Sequence, residues 1–149
     1  MSNEKDNEII KKTYLIFKIN NSLYALLSSE VKELLREIPV FTIPFVPKYI
    51  DGVLNRYGDP YAVIDIATLL DLESQSTALF LVLQNESRTC FKITEVEDFY
   101  SVNSSEIRSF SEKDSNIYFI GSFLLNDKEV LILDSEAIIS KVEKDFESY

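Results

Sequence analysis

Three side chains in this 149-residue chain have the types and placement from which covalent chemistry is built: the carboxylates Asp65 and Asp134 and the single thiol, Cys90. Two carboxylates can share acid and base work when their environments hold them in different protonation states. A cysteine becomes a nucleophile when a histidine or a cationic cluster lowers its pKa. The chain has no histidine, which removes Ser-His-Asp, Cys-His and histidine-metal arrangements together with the one side chain that titrates near neutrality unaided. Asp65 and Asp134 each stand where a strand pattern passes into an apolar helical one, the place of a helix N-cap, and capping is the reading favoured over a hydrolytic pair. Cys90 lies in an apolar run with no basic cluster beside it and reads as a small buried hydrophobe. One cysteine permits neither an intramolecular disulfide nor a zinc site of the usual ligand types, and three glycines supply no phosphate-cradling loop. No catalytic residue, metal site or cofactor is therefore expected.

The elements that hold these residues are mostly strands. Tyr14 to Asn20 places Leu15, Phe17 and Ile19 on one face and Lys18 on the other, a strand pattern. Asn20-Asn21-Ser22 turns the chain into a second apolar run, Leu23 to Leu27. Ser29 with Glu30 behind it predicts a short helix whose inner face is Val31, Leu34 and Leu35, ended by Pro39. Three prolines between Pro39 and Pro47 predict an extended connector. Gly52 to Leu72 reads as strand, turn at Asn55 to Pro60, strand to Asp65 and short helix. Ala78 to Gln84 and Thr89 to Val96 make the next hairpin, Ser104 to Ile107 a short turn and Glu112 to Asn116 a polar loop. Ile117 to Leu125 and Val130 to Leu133 form a further hairpin, after which Asp134 caps a terminal helix.

Gly52 precedes Asp65 by 13 residues, Gly121 precedes Asp134 by 13, and an apolar pair follows each aspartate, Leu69-Leu70 and Ile138-Ile139. With a hairpin upstream of each block, this reads as a weak internal repeat of two small β units. Such units close most readily as barrels, which leaves no sheet edge exposed, and two packed barrels leave a groove between them.

Fifteen basic against 25 acidic residues give a formal charge of −10, while 46% of residues are hydrophobic. That charge repels phosphate backbones and anionic lipid surfaces over a Debye length of roughly 8–10 Å, so neither nucleic-acid nor membrane-surface binding is expected, and with no apolar run near the ~18 residues of a membrane span, neither is membrane insertion. The apolar content suffices for a core at this length, and self-repulsion together with closed strands favours a monomer. The polar start of the chain reads as a loose tail over 1–13, and the whole as cytoplasmic.

Taken in order, these residues resemble the CheW-type coupling proteins of bacterial chemotaxis, from about Tyr14 to Ile139. The family opens on an apolar hairpin, continues through V-x-E and prolines, and reaches a G-V-x-N-L-R-G block that ends in apolar residues, an aspartate and a helix. Here these stand as Val31-Lys32-Glu33, Pro44 and Pro47, Gly52-Val53-Leu54-Asn55-Arg56-Tyr57-Gly58 and Val63-Ile64-Asp65-Ile66. The second half is similar in Tyr118-Phe119-Ile120-Gly121, Leu131-Ile132-Leu133-Asp134 and Ala137-Ile138-Ile139. Departures concentrate before the turn glycine, where Arg56-Tyr57 replaces Leu-Arg. Neighbours in a strand face opposite ways, so Arg56 is not expected to take the place of the family arginine. Ala62 and Thr94 stand for a proline and an aspartate.

The resemblance implies a mainly β fold of two small SH3-like five-stranded barrels, intertwined as one domain over 14–149, with short helices and a C-terminal helix. It implies a non-catalytic scaffold between the regulatory domain of a CheA-type histidine kinase and a chemoreceptor cytoplasmic tip, recruited to membrane-associated receptor arrays. The alternatives are an adaptor of another motility or receptor system and a carboxylate-dependent β-barrel enzyme; an open apolar groove favours the scaffold and a closed carboxylate-lined pocket the enzyme. The partner-binding residues it points to are Val31, Glu33, Asn55, Arg56, Tyr57 and Gly58. For Glu33 the competing reading is a solvated helix residue, for Tyr57 packing within the hairpin, for Val31 the core, and for Asn55 and Gly58 turn chemistry.

Overall fold

The computed structural model describes residues 10–74, 79–111 and 117–147. The expected polar loop Glu112–Asn116, the start of a strand at Ala78 and the tail up to residue 9 lie outside the described residues. Twelve strands are described, and they form two six-stranded sheets. In chain order they are β1 (Lys11–Ile19), β2 (Ser22–Leu27), β3 (Val31–Arg36), β4 (Val40–Phe41), β5 (Ile50–Arg56), β6 (Asp59–Asp65), β7 (Leu79–Leu83), β8 (Thr89–Ile93), β9 (Glu95–Asn103), β10 (Arg108–Ser109), β11 (Phe119–Leu125) and β12 (Lys128–Leu133). A one-turn helix α1 (Ile66–Leu69) follows β6, and the helix α2 (Ser135–Glu147) follows β12.

The first sheet runs β10-β11-β12-β2-β1-β9 and the second β3-β7-β8-β6-β5-β4. Each has five longer strands and one two-residue strand at an edge, β10 or β4. Each sheet also takes its strands from both halves of the chain: β1 and β2 join β9 to β12, while β7 and β8 join β3 to β6. The order within the two sheets is the same, with a parallel pairing at the matching place, β12 on β2 and β6 on β8. The 13-residue spacing is therefore one structural unit used twice. Gly52 and Gly121 each lie at a register shift in their hairpins, where a Cβ would come within 2.2 Å of the Phe41 carbonyl oxygen or 2.5 Å of that of Arg108. Asp65 and Asp134 donate their backbone N–H to the carbonyls of Tyr49 and Tyr118, both at 2.8 Å.

The strands alternate between two buried environments rather than between core and water. In β1, Tyr14 and Ile16 enter a cluster with Ala25, Val102, Phe123, Val130 and Ile132, whereas Leu15, Phe17 and Ile19 enter a larger one shared by both sheets. In β7, Phe80 and Val82 join Leu54, Tyr61, Val63 and Cys90, whereas Leu81 and Leu83 join the shared core. Successive side chains point to opposite faces, so each sheet wraps one small core and rests its other face on the shared one. The face of β1 assigned to Lys18 thus also carries buried Tyr14 and Ile16.

The expected helix over Ser29 to Leu35 is not formed. A 3-10 turn, Ser28–Glu30, leads straight into β3, which pairs with β7. A register shift between Val31 and Glu33 places Val31 and Leu34, three residues apart, against the shared core, while Leu35 faces the smaller one. A β-bulge therefore produced the helical spacing. The apolar run Thr89 to Val96 is likewise two strands: Thr94 donates its N–H to the Lys18 carbonyl at 2.9 Å, and the chain crosses there from β8 in the second sheet to β9 in the first. The strand read from Tyr14 starts at Lys11, earlier than the expected tail boundary, and the connector carries the short β4.

Candidate functional site: the groove between the sheets and its rim

The edge strands β3 and β9 approach across a groove of about 300 Å³ lined by Leu15, Ser28, Val31, Lys32, Glu33, Leu34, Val96 and Phe99. One wall comes from the second sheet and the other from the first. Its lining is chiefly apolar, and Phe99 is 60% exposed beside it. Val31 serves both candidate roles, packing on the shared core and lining the groove.

Glu33 stands where the groove meets the interior of the second sheet. Arg56, the last residue of β5, donates from Nη2 to Glu33 Oε2 at 3.0 Å and from Nε to Oε1 at 3.4 Å, a two-pronged geometry that suits a guanidinium and a carboxylate. Its Nη1 donates to the Tyr61 hydroxyl at 3.4 Å. β3 and β5 lie far apart in the sheet order, so this pair draws distant strands together and curls the sheet round its core. The hydrogen bond that Arg56 donates to Glu33 raises the Arg56 pKa further. Inside the curl Cys90 is fully buried, and burial pushes its thiol up to about 12, with Arg56 pulling it down and Glu33 raising it. A thiol so placed is inert.

The strand argument separating Arg56 from Tyr57 is corrected, because Tyr57 has already left the strand. It has φ 51° and Gly58 φ 89°, so both central residues of the two-residue turn are left-handed, the I′ pattern of tight hairpins. Asn55 accepts the Gly58 N–H at 2.8 Å. Arg56 is thus the cation that meets Glu33, while the Tyr57 ring is 82% exposed with the Arg56 guanidinium 4.8 Å from its centroid. Glu33 is a strand residue with a side chain 26% exposed, not a solvated helix residue. The structure brings Glu33, Arg56 and Tyr57 into one chain of contacts, places Val31 beside Glu33 in the groove lining, and has Asn55 and Gly58 shape the turn.

Sequence reasoning missed Phe99, Val96 and Leu15 in the groove and Tyr61 behind Arg56. The adjacent aromatics Phe99-Tyr100 in a polar stretch were the available signal. Each candidate catalytic carboxylate is engaged in its cap. Asp65 accepts from the Ala67 N–H at 3.1 Å and the Thr68 hydroxyl at 3.1 Å, with Ser74 and the Lys92 ammonium also on it. Asp134 accepts from the Ala137 N–H at 3.1 Å. Among the described residues no group of three or more Cys, Asp or Glu is placed to hold a metal ion, and no helix is long and apolar enough to cross a membrane.

The CheW-like domain family matches residues 13–143. The Chemotaxis protein CheW of Bacillus subtilis strain 168 is 25% identical over 134 residues, covering 85% of this chain and 86% of that protein. The Chemotaxis protein CheW of Helicobacter pylori strain ATCC 700392 / 26695 is 25% identical over 146 residues, covering 94% and 88%. The crystal structure of the scaffolding protein TtCheW from Thermoanaerobacter tengcongensis superposes with a TM-score of 0.75 at 17% identity, over 84% of this chain and 90% of that one, a likeness of fold.

Proposed function

This chain belongs to the CheW-like domain family, and on that premise we propose that it is a non-catalytic adaptor joining a chemoreceptor cytoplasmic tip to the regulatory domain of a CheA-type histidine kinase. The observation that carries the reading is the apolar groove between two edge strands with a fixed ion pair on its rim. An apolar cleft with few polar groups is what a helical partner needs: its apolar side chains leave water in the groove, and the charged rim fixes register and orientation. Val31, Leu34, Val96 and Phe99 supply the apolar contacts, Glu33 and Arg56 the rim, and Asn55 and Gly58 hold the turn beside it. The kinase then docks on the outer sheet surfaces, which leaves the groove to the receptor. The protein works in the cytoplasm at receptor arrays and is a monomer when alone.

The test is titration calorimetry of the purified protein against a receptor-tip fragment and a kinase regulatory domain. Binding of both, with Phe99→Ala, at an exposed groove position, weakening the receptor titration alone, is the expected result. No heat with either partner at high micromolar concentration refutes the coupling role.

A further inference from the structure

The turn at Tyr57-Gly58 is built against the preference of its first residue. A hairpin turn with two left-handed residues favours Asn, Asp and Gly at both places, because Cβ crowds the following carbonyl oxygen in that backbone region, a clash that Gly lacks and that Asn and Asp offset with local hydrogen bonds. The equivalent turn in the other half of the chain follows this rule with Asn126 (φ 50°) and Asp127 (φ 65°). Tyr57 takes the same conformation at φ 51° with a bulky aromatic side chain, and packing does not account for it, since the residue is 82% exposed.

What the ring does have is a support. The Arg56 guanidinium lies 4.8 Å from its centroid and is itself held by Glu33 at 3.0 Å and by the Tyr61 hydroxyl at 3.4 Å. An aromatic side chain has only two χ angles to fix, and a cation against one face restricts them before any partner arrives. Such preorganisation lowers the ordering cost of binding. Glu33 also lines the groove, so the ring is joined to the groove wall through two side-chain contacts.

Resting on the adaptor reading above, we propose that Tyr57 is a preorganised anchor on the groove rim that selects the receptor tip, and that the turn gives up stability to present it. The partner surface it fits is an apolar pocket that takes the free face of the ring, with a polar group for the phenol hydroxyl at its mouth. The receptor tip is the occupant because the ring continues the groove wall through Arg56 and Glu33, whereas the kinase is assigned to the outer surfaces.

The test compares Tyr57→Asn and Tyr57→Phe with the wild-type protein, reading the thermal midpoint and the affinities for a receptor-tip fragment and a kinase regulatory domain. Tyr57→Asn restores the residue the turn prefers, so Tm rises by about 2–4 °C. The same change weakens receptor-tip binding roughly tenfold or more and leaves kinase binding alone. Tyr57→Phe keeps most of the affinity. A Tm below wild type for Tyr57→Asn overturns the proposal by showing that the ring packs the hairpin. So does receptor affinity unchanged in Tyr57→Asn, or a loss confined to the kinase. If the wild-type protein binds no receptor tip at all, the adaptor reading falls and takes this proposal with it; if wild type binds and Tyr57→Asn binds equally well, only this proposal falls.

Discussion

Cys90 makes the closure of the second sheet measurable, because it is the sole thiol and lies inside the curl that the Arg56–Glu33 pair ties shut. Burial lifts its pKa from 9.0 to about 12, so at pH 8 it holds about a thousandth of the thiolate of an unperturbed thiol. Thiolate is the reactive form. The native protein should therefore react with Ellman's reagent about a thousandfold more slowly than the same protein unfolded in urea. The informative perturbation is Arg56→Ala, which acts on the rate in two opposite directions. Arg56 lowers the Cys90 pKa, so its removal protects the thiol further in the closed state and slows any reaction that proceeds there. Its removal also unties β3 from β5, and a partly exposed ion pair shifts an opening equilibrium by up to about fivefold. If Cys90 reacts through opening of the sheet, labelling accelerates two- to fivefold by this estimate. Where low, non-denaturing urea speeds the wild-type reaction, the mark of reaction through opening, unchanged or slower labelling in Arg56→Ala refutes the role given to the pair in closing the sheet. A native rate within about tenfold of the unfolded rate refutes the burial on which the calculation rests.

Three further outcomes follow from the repeated unit and the terminal helix. Asp65→Ala should cost about 3 kcal/mol, a helix cap of about 1 kcal/mol plus hydroxyl bonds to a buried carboxylate, whereas Asp134→Ala should cost only about 1 kcal/mol; urea denaturation of both variants measures the difference, and equal losses would contradict the burial contrast. Gly52→Ala sets a methyl group 2.2 Å from the Phe41 carbonyl oxygen at φ 150° and should lower stability by about 3 kcal/mol or more, read by the same titration. Asp145 accepts from the Tyr49 hydroxyl and pairs with Lys141 at 3.0 Å, which lowers its pKa below the ordinary 3.8. A depressed carboxylate contributes stability above its unfolded pKa and loses it as pH falls through the folded value. The Tm difference between wild type and Asp145→Asn should accordingly be constant above about pH 5 and vanish in stronger acid.

Much of this architecture is legible wherever the chemistry is local. The caps at Asp65 and Asp134, the turn expected within Asn55 to Pro60, which forms at Tyr57-Gly58, and the burial of Cys90 each follow from residues within one element and its neighbours. The repeat is legible because Gly52 and Gly121 meet the same steric demand, a bulge under another strand's carbonyl. What escapes is decided by pairing at long range. Val31, Leu34 and Leu35 carry helical spacing, yet β7 offers a partner 50 residues away and a bulge reconciles the spacing with a strand. β9 escapes because one edge and one face meet solvent, which leaves Glu95, Glu97, Asp98 and Ser101 in a stretch without apolar alternation. The Arg56–Glu33 contact escapes because it needs the curl of the sheet, and strand alternation misplaces Tyr57 because β5 ends at Arg56 and Tyr57 is the first of two left-handed turn residues.

The exchange of strands between the halves also explains where the groove lies. β3 and β9 are the strands that follow the two crossings between sheets, at Ser28–Glu30 and at Thr94, and they are the two that face each other across the groove. Both crossings are fixed by hydrogen bonds from outside their own strands. Glu30 accepts the Leu27 N–H at 3.0 Å and the Ser135 hydroxyl at 2.7 Å, and its carbonyl accepts the Gln84 N–H at 2.7 Å. The Thr94 hydroxyl accepts the Asn20 N–H at 2.7 Å. Widening the groove thus requires pulling apart crossings anchored in both halves and in α2, with the shared core of Phe17, Leu26, Ile64, Phe91 and Ile138 beneath them. A close-packed interior of this kind moves between discrete arrangements and does not stretch. The two walls of the groove are therefore held at a fixed separation by the core beneath them and the bonds at both crossings.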